Sequence, residues 1–323
     1  MISKNFNYQH IPVMLEEVLE YLDPKLGENF IDCTLGGGGY SKAILERIGK
    51  KGKLISIDLD KLAINNFLEK YQRYSNIYLV EDNFINLKSI VQKFRTEFNL
   101  NNRFLFDGIV LDLGLSSAHL DDKQRGISFQ NDANLDMRFG DTIDENKTKE
   151  IINNYNQKDL EEVIFNYGEE RWAKRIAEFI VKRRKEQKIC TVFQLLKIIK
   201  EAIPPKFHNK KIHFATKTFQ ALRIATNMEL ENLKKVLPQA VEWLKKGGKL
   251  AVVSYHSLED RIVKNFFRKE SSNCICSKEV YFCTCQHEKK IRLINKKVIK
   301  PSFQEIKDNF RSRSAKLRVV EHI

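Results

Sequence analysis

The run Phe30-Ile31-Asp32-Cys33-Thr34-Leu35-Gly36-Gly37-Gly38-Gly39-Tyr40-Ser41 constrains the fold of this chain more than any other stretch. An apolar, strand-like segment ends in an acid, breaks into consecutive glycines and reopens as the helix-like Ser41-Lys42-Ala43-Ile44-Leu45. Glycine at a strand-to-helix turn lets backbone come close to a ligand, because a side chain would fill that space. One helix later a second strand-like run, Lys53 to Asp58, also ends in an acid. That spacing is the one from which a Rossmann-type unit grips a ribose diol. Together the two runs mark a site for an adenosine-containing cofactor.

The turn itself discriminates between cofactors. A dinucleotide fingerprint wants a third glycine for tight helix packing, and Ser41 occupies that place. The turn for S-adenosylmethionine, an acid followed by alternating glycines, fits Asp32, Gly36 and Gly38, with Thr34 where another glycine is common. S-adenosylmethionine brings an ammonium and a sulfonium rather than phosphates, so an acid beside the turn suits it.

The chain has 323 residues, enough for one large core and a second, smaller domain. Its 56 Lys and Arg against 42 Asp and Glu leave a net charge of +14, which favours a polyanionic partner, nucleic acid first. No apolar run reaches the roughly 20 residues of a membrane span, and Met1 to His10 is too polar for a signal peptide. With six cysteines in so long a chain, a disulfide framework is not expected and a reducing cytoplasm is.

Pro12 to Tyr21 reads as an amphipathic helix, with Val13, Leu15, Val18 and Leu22 on one side. Ile77 to Val80 reads as a third strand, leading to Asn83-Phe84, and Phe106 to Gly114 as a fourth whose continuous apolar core suits a parallel strand covered on both faces. From about Leu120 to about Phe214 strand-like runs disappear and the chain turns helical and charged, with Arg171, Lys174, Arg175 and Arg183 in a dense basic stretch. Strand character returns at Gly248 to Tyr255 and again at Ala315 to Val320. The expected fold is α/β, Rossmann-like and mostly parallel, with a helical insertion after strand four. Residues 1–119 and 215–323 would form the sheet domain and 120–214 the insertion, expected to recognise RNA.

Ligands meet chemistry at the carboxyl ends of strands in open α/β sheets. There the fourth strand offers Asp112, Ser116 and His119 among small residues. A carboxylate such as Asp112 could bind the N–H groups of an exocyclic amine and localise its lone pair, with positioning supplying much of the remaining acceleration. His256 lies in Tyr255-His256-Ser257-Leu258-Glu259-Asp260, which fits a substrate contact and an ordinary helix start equally well. Cys274, Cys276, Cys283 and Cys285 could supply four thiolates to zinc, or be ordinary reduced cysteines in a polar loop.

Several blocks in order extend this reading: His10-Ile11-Pro12-Val13, the Gly36–Tyr40 loop, Val110-Leu111-Asp112-Leu113-Gly114, Leu135-Asp136-Met137-Arg138, Gly168-Glu169-Glu170-Arg171, Thr218-Phe219-Gln220-Ala221-Leu222-Arg223-Ile224, His256-Ser257-Leu258-Glu259-Asp260-Arg261 and Arg313-Ser314-Ala315-Lys316-Leu317-Arg318. On these the chain resembles, nearly end to end, the RsmH or MraW family of bacterial methyltransferases. The resemblance implies a class I S-adenosylmethionine-dependent fold and methylation of N4 of a cytidine in the decoding, P-site region of 16S rRNA within the small ribosomal subunit. It places Gly38, Gly39, Tyr40, Asp58, Phe84, Asp112 and His119 at the cofactor. His119 stands where Gln is usual, Tyr40 where His is frequent and Lys217 where Arg is usual; each keeps hydrogen bonding or charge. Two other readings stay open on the residues alone, an NAD-dependent oxidoreductase and a non-catalytic RNA-binding assembly factor with a retained cofactor fold.

Overall fold

Successive residues of the central strands feed opposite faces of one sheet. The computed structural model describes residues 12–115, 125–140, 147–208, 212–277 and 282–323. Phe30, Leu54, Val110 and Ala251 pack on one side, whereas Ile31, Ile55, Ile109 and Leu250 pack on the other. This alternation on strands that are apolar throughout is what cover on both faces demands.

The strands are β1 (Asn29–Asp32), β2 (Lys53–Asp58), β3 (Ile77–Glu81), β4 (Phe106–Asp112), β5 (Leu244–Ser254), β6 (Ile291–Leu293) and β7 (Lys316–His322), in the spatial order β3-β2-β1-β4-β5-β7-β6. All neighbours from β3 to β5 run parallel; β7 is antiparallel to both β5 and β6. Helices α1 (Leu15–Leu22), α2 (Gly39–Ile48) and α3 (Lys61–Lys70) cover one face, through residues such as Val18, Ile44 and Phe67. The other face is covered by α4 (Leu87–Glu97), through Ile90 and Phe94, and by α10 (Glu229–Glu242), through Leu233 and Leu237. Strand order reverses between β1 and β4, so their carboxyl ends flank the crevice where open α/β sheets bind ligands. The expected Rossmann-like fold is thus present.

Some boundaries differ from expectation. Helix α1 begins at Leu15 rather than Pro12, because Met14 takes a left-handed backbone (φ 54°). Strand β5 begins at Leu244, and a register shift between Phe106 and Gly108 on β4 absorbs the residues around Gly247. The three-residue β6 had no counterpart in the sequence reading.

The chain divides into two compact units: one takes in residues up to Gly114 and from Leu230 onward, the other runs Leu115–Glu229. Against the expected insertion at 120–214, the second unit therefore gains residues at both ends. Its helices are α5 (Lys147–Asn154), α6 (Gln157–Gly168), α7 (Ala173–Arg184), α8 (Val192–Ala202) and α9 (Thr216–Asn227). Phe219 and Leu222 of α9 are buried in the same core as Ile152, Ile164, Ile176 and Ile199, which explains the later boundary. Side chains set two of the N-termini: Asn156 caps α6, and Thr191 with Gln194 forms a capping box on α8. The Leu135–Arg138 block is structural: Met137 has a left-handed backbone (φ 56°), and Asn227 clamps it by donating to the Met137 carbonyl and accepting the Phe139 N–H.

Candidate active site

The turn after β1 is built on a buried acid. Asp32 is shut off from solvent and accepts from the Thr34 N–H at 3.1 Å and the Ser41 hydroxyl at 2.6 Å. The Ser41 hydroxyl also meets that of Ser56 at 2.7 Å, so the place of a third glycine is filled by a side chain that hydrogen-bonds α2 to β1 and β2. Burial pushes the Asp32 carboxyl up to about 6 against the opposing Ser41 and Thr34 bonds. The Thr34 hydroxyl accepts the Asp112 N–H at 2.7 Å, which joins the turn to the end of β4.

The glycines have separate duties. Gly36 (φ +49°) has open space over its α-carbon, with only the Thr34 carbonyl oxygen at 3.9 Å from an added Cβ. Gly38 (φ +77°) carries the ring of Phe67, since a Cβ there would sit 2.3 Å from Phe67 Cδ2. Gly39 makes room for Pro12, whose Cγ would be 2.6 Å from an added Cβ. Tyr40 is buried, with its hydroxyl donating to the Val13 carbonyl, so its side chain anchors the segment that precedes α1. Any contact of Gly39 and Tyr40 with a cofactor falls to the backbone N–H groups of the first turn of α2, which lack intrahelical partners.

Asp58 ends β2 with both carboxylate oxygens oriented by backbone: Oδ2 accepts the Gly36 N–H at 2.7 Å and Oδ1 the Asp60 N–H at 2.8 Å. Phe84 opens the 3-10 turn after β3 and packs half-buried against the sheet core, on the third strand end of the same crevice.

Asp112 closes β4. Its carboxyl is bonded by the Tyr255 hydroxyl and the Gly114 N–H, and burial pushes it up to about 7. Its Oδ1 is shielded from solvent, with no hydrogen-bond partner among the described residues. A buried acceptor without a donor is costly unless a ligand supplies one. Tyr255 lies flat enough on Gly114 that a Cβ there would be 2.6 Å from the ring. Sequence reasoning noted Thr34 and Ser41 only as residues in glycine places, without their bonds, and gave Tyr255 no task of its own; its strand-end position in the run before His256 is the one available signal.

The structure gives His256 a structural task. It is the N-cap of α11 (Ser257–Glu270), with Nδ1 accepting the Glu259 N–H at 3.4 Å while Glu259 reaches back to the Tyr255 and His256 N–H groups at 2.8 and 3.2 Å. Ser116 and His119 lie outside the described residues.

The second unit holds a cavity of about 530 Å³ lined by aromatic and basic side chains, among them Arg171, Trp172, Phe207, His213, Phe214 and Lys217. The Arg171 guanidinium lies over the Phe207 ring at 4.1 Å and the Trp172 ring at 5.2 Å. Trp172 Nε1 is shielded and has no acceptor among the described residues. His213 stacks on Phe129 at 4.6 Å, and burial followed by the charge of His208 lowers its pKa. Of the basic stretch, Arg183 is engaged by Glu201 at 2.8 Å and Arg184 donates to the Ile152 carbonyl at 2.7 Å, so neither is a ready phosphate contact.

Residues 7–323 match the family model described as the MraW methylase family. The chain is 43% identical over 315 residues to a ribosomal RNA small subunit methyltransferase H of Halothermothrix orenii, covering 98% of this chain and 99% of that one. It is 42% identical over 318 residues to the protein of the same name from Finegoldia magna, with 98% and 99% covered. A third relative of that name, from Dehalococcoides mccartyi, is 46% identical over 317 residues, with 98% and 87% covered. With the glycine turn, the acid that ends β2 and the strand order of a class I methyltransferase in place, this end-to-end match makes the chain a member of the MraW methylase family of S-adenosylmethionine-dependent methyltransferases.

Proposed function

We propose that this protein methylates N4 of a cytidine in the P-site region of 16S rRNA, presented by a largely assembled small subunit in the cytoplasm. The observation that carries the chemistry is the shielded Oδ1 of Asp112 at the end of β4, which has no hydrogen-bond partner among the described residues. S-adenosylmethionine supplies an electrophilic methyl group when bound. Asp58 would hold its ribose, the backbone of Gly36 to Tyr40 would face its amino-acid portion, and Phe84 would pack on its base.

The amine of cytosine is a poor nucleophile because its lone pair is delocalised into the ring. Asp112, when ionised, accepts an N–H of that amine and draws electron density toward nitrogen, so the lone pair is better placed to attack. Tyr255 and Gly114 fix the carboxyl from the other side, so little reorganisation is needed. With a pKa of about 7 the carboxyl can also take up the proton that the methylated amine sheds.

The relatives' shared name, the +14 charge and the aromatic cavity support RNA as substrate. Flat rings interleaved with guanidinium groups stack on unpaired bases, and a base must leave its stack to be methylated. Reaction of labelled S-adenosylmethionine with small subunits lacking the modification, followed by nucleoside analysis, tests the proposal. Label on cytidine N4 is expected; label on another base or on protein would overturn it.

A further inference from the structure

The four clustered cysteines lie apart from this chemistry, on the segment between α11 and β6. Its base is closed by the Lys290 N–H donating to the Glu270 carbonyl at 2.9 Å and by His287 Nε2 meeting the Lys269 carbonyl at 3.0 Å. Above that base the described residues bury little: Phe282 is 83% exposed and Ile275 43%. Among its described residues no apolar core holds the shape of the segment.

Its four thiols nevertheless converge. One sulfur from each of Cys274, Cys276, Cys283 and Cys285 lies within 4.8 Å of all the others. Cys283 and Cys285 are 3.5 Å apart, and Cys285 and Cys274 3.8 Å. A tetrahedron with zinc–sulfur bonds of about 2.3 Å has edges of about 3.8 Å. A disulfide needs about 2.0 Å, and all four cysteines are free. Backbone also points at the sulfurs: the Ile275 N–H donates to Cys285 Sγ and the Cys276 N–H to Cys274 Sγ, each at 3.4 Å. Amide donors of this kind stabilise metal-bound thiolates and orient them.

We propose that Cys274, Cys276, Cys283 and Cys285 bind one zinc ion in a closed, tetrahedral, all-thiolate site that staples the segment between α11 and β6. Binding exchanges four thiol protons for the ion, without redox change, and leaves a complex of net charge −2. Arg268, Lys269, Lys289 and Lys290 flank the segment in sequence and offset that charge. With four protein ligands no position is left for water, so the site is structural rather than catalytic. His287 stays outside the ligand set because its ring is engaged by the Lys269 carbonyl.

The test uses the full chain purified under reducing conditions. Elemental analysis should find about one zinc per chain in the wild type and in Cys190→Ser, and a small fraction of that in Cys276→Ser and Cys283→Ser. After removal of the metal, cobalt(II) should give the intense visible bands of a tetrahedral thiolate complex, and zinc should displace it stoichiometrically. Metal should also slow proteolytic cleavage between residues 271 and 290. A weak, octahedral cobalt spectrum, absence of metal after exposure to zinc, iron in place of zinc, or native disulfides among these cysteines would each overturn the proposal. If Cys276→Ser fails to fold, cobalt titration of the intact wild-type chain still decides it.

Discussion

The Gly36 N–H donates to the Asp58 carboxylate at 2.7 Å, a bond that ties the turn after β1 to the end of β2. One acid therefore shapes the turn and faces the ribose of the proposed cofactor complex.

Asp58→Ala should weaken S-adenosylmethionine binding by roughly 1.5–3 kcal/mol, about 10- to 150-fold, through loss of charge-assisted bonds. Asp58→Asn, which keeps an acceptor for Gly36, should fold like the wild type and still bind less tightly. Calorimetry giving unchanged affinity in the folded Asn variant would remove Asp58 from the cofactor site.

Asp112→Asn should cut turnover about 100-fold or more while leaving RNA binding intact. In the wild type, turnover should climb as pH rises through about 7, where the carboxyl ionises, and the variant should lose that rise. Stability runs the other way. Asp112 and Asp32 are raised from 3.8 to about 7 and about 6, so the stability linked to their neutral forms is complete below about pH 4 and is lost as pH rises through 6 to 7. The variant should accordingly melt higher than the wild type at pH 8. Equal melting temperatures there would show that the wild-type carboxyl is not held at a cost.

Gly38→Ala should destabilise the protein, since the residue is left-handed and its Cβ would meet Phe67 Cδ2 at 2.3 Å. Phe67→Leu, destabilising alone, should be far less so in the Gly38→Ala background. Denaturant titration of the four proteins measures the coupling, and strictly additive effects would contradict the contact.

Phe207→Ala should weaken binding to small-subunit RNA by about 1–3 kcal/mol with no change in cofactor affinity. Neutralising Arg171, Lys174 and Arg175 together should flatten the dependence of RNA affinity on salt. Arg183→Ala should instead act on stability, because Glu201 and Glu186 already hold that side chain. Filter binding across a salt series separates the two results; an Arg183 effect on the slope equal to the others would refute the distinction.

The β1 turn, β2 and β4 were legible because each is an apolar run ending in an acid, and local pattern is what a sequence displays. β6 was not, since only Ile291 of its three residues is buried and its partner β7 comes much later in the chain. The Asp112–Tyr255 bond could not be read either: the two residues meet only because β4 and β5 pair across the helical unit. His256 was visible as a polar residue near the crevice, yet its role depends on where α11 starts, a boundary that the sequence leaves open by a residue or two.

Strand β7 occupies the gap between β5 and β6, pairing Lys249 with Glu321 and Leu293 with Val320. Among the described strands it is also the last to be synthesised. Until residues 316–322 emerge, β5 stands as an open edge and β6 has no strand partner among the described residues. The sheet is therefore completed by an insertion between two waiting elements, a late and non-local step of the kind that slows folding. Loss of residues 316–322 would leave the sheet unable to close, with β5, a long and largely apolar strand, exposed to other copies of itself.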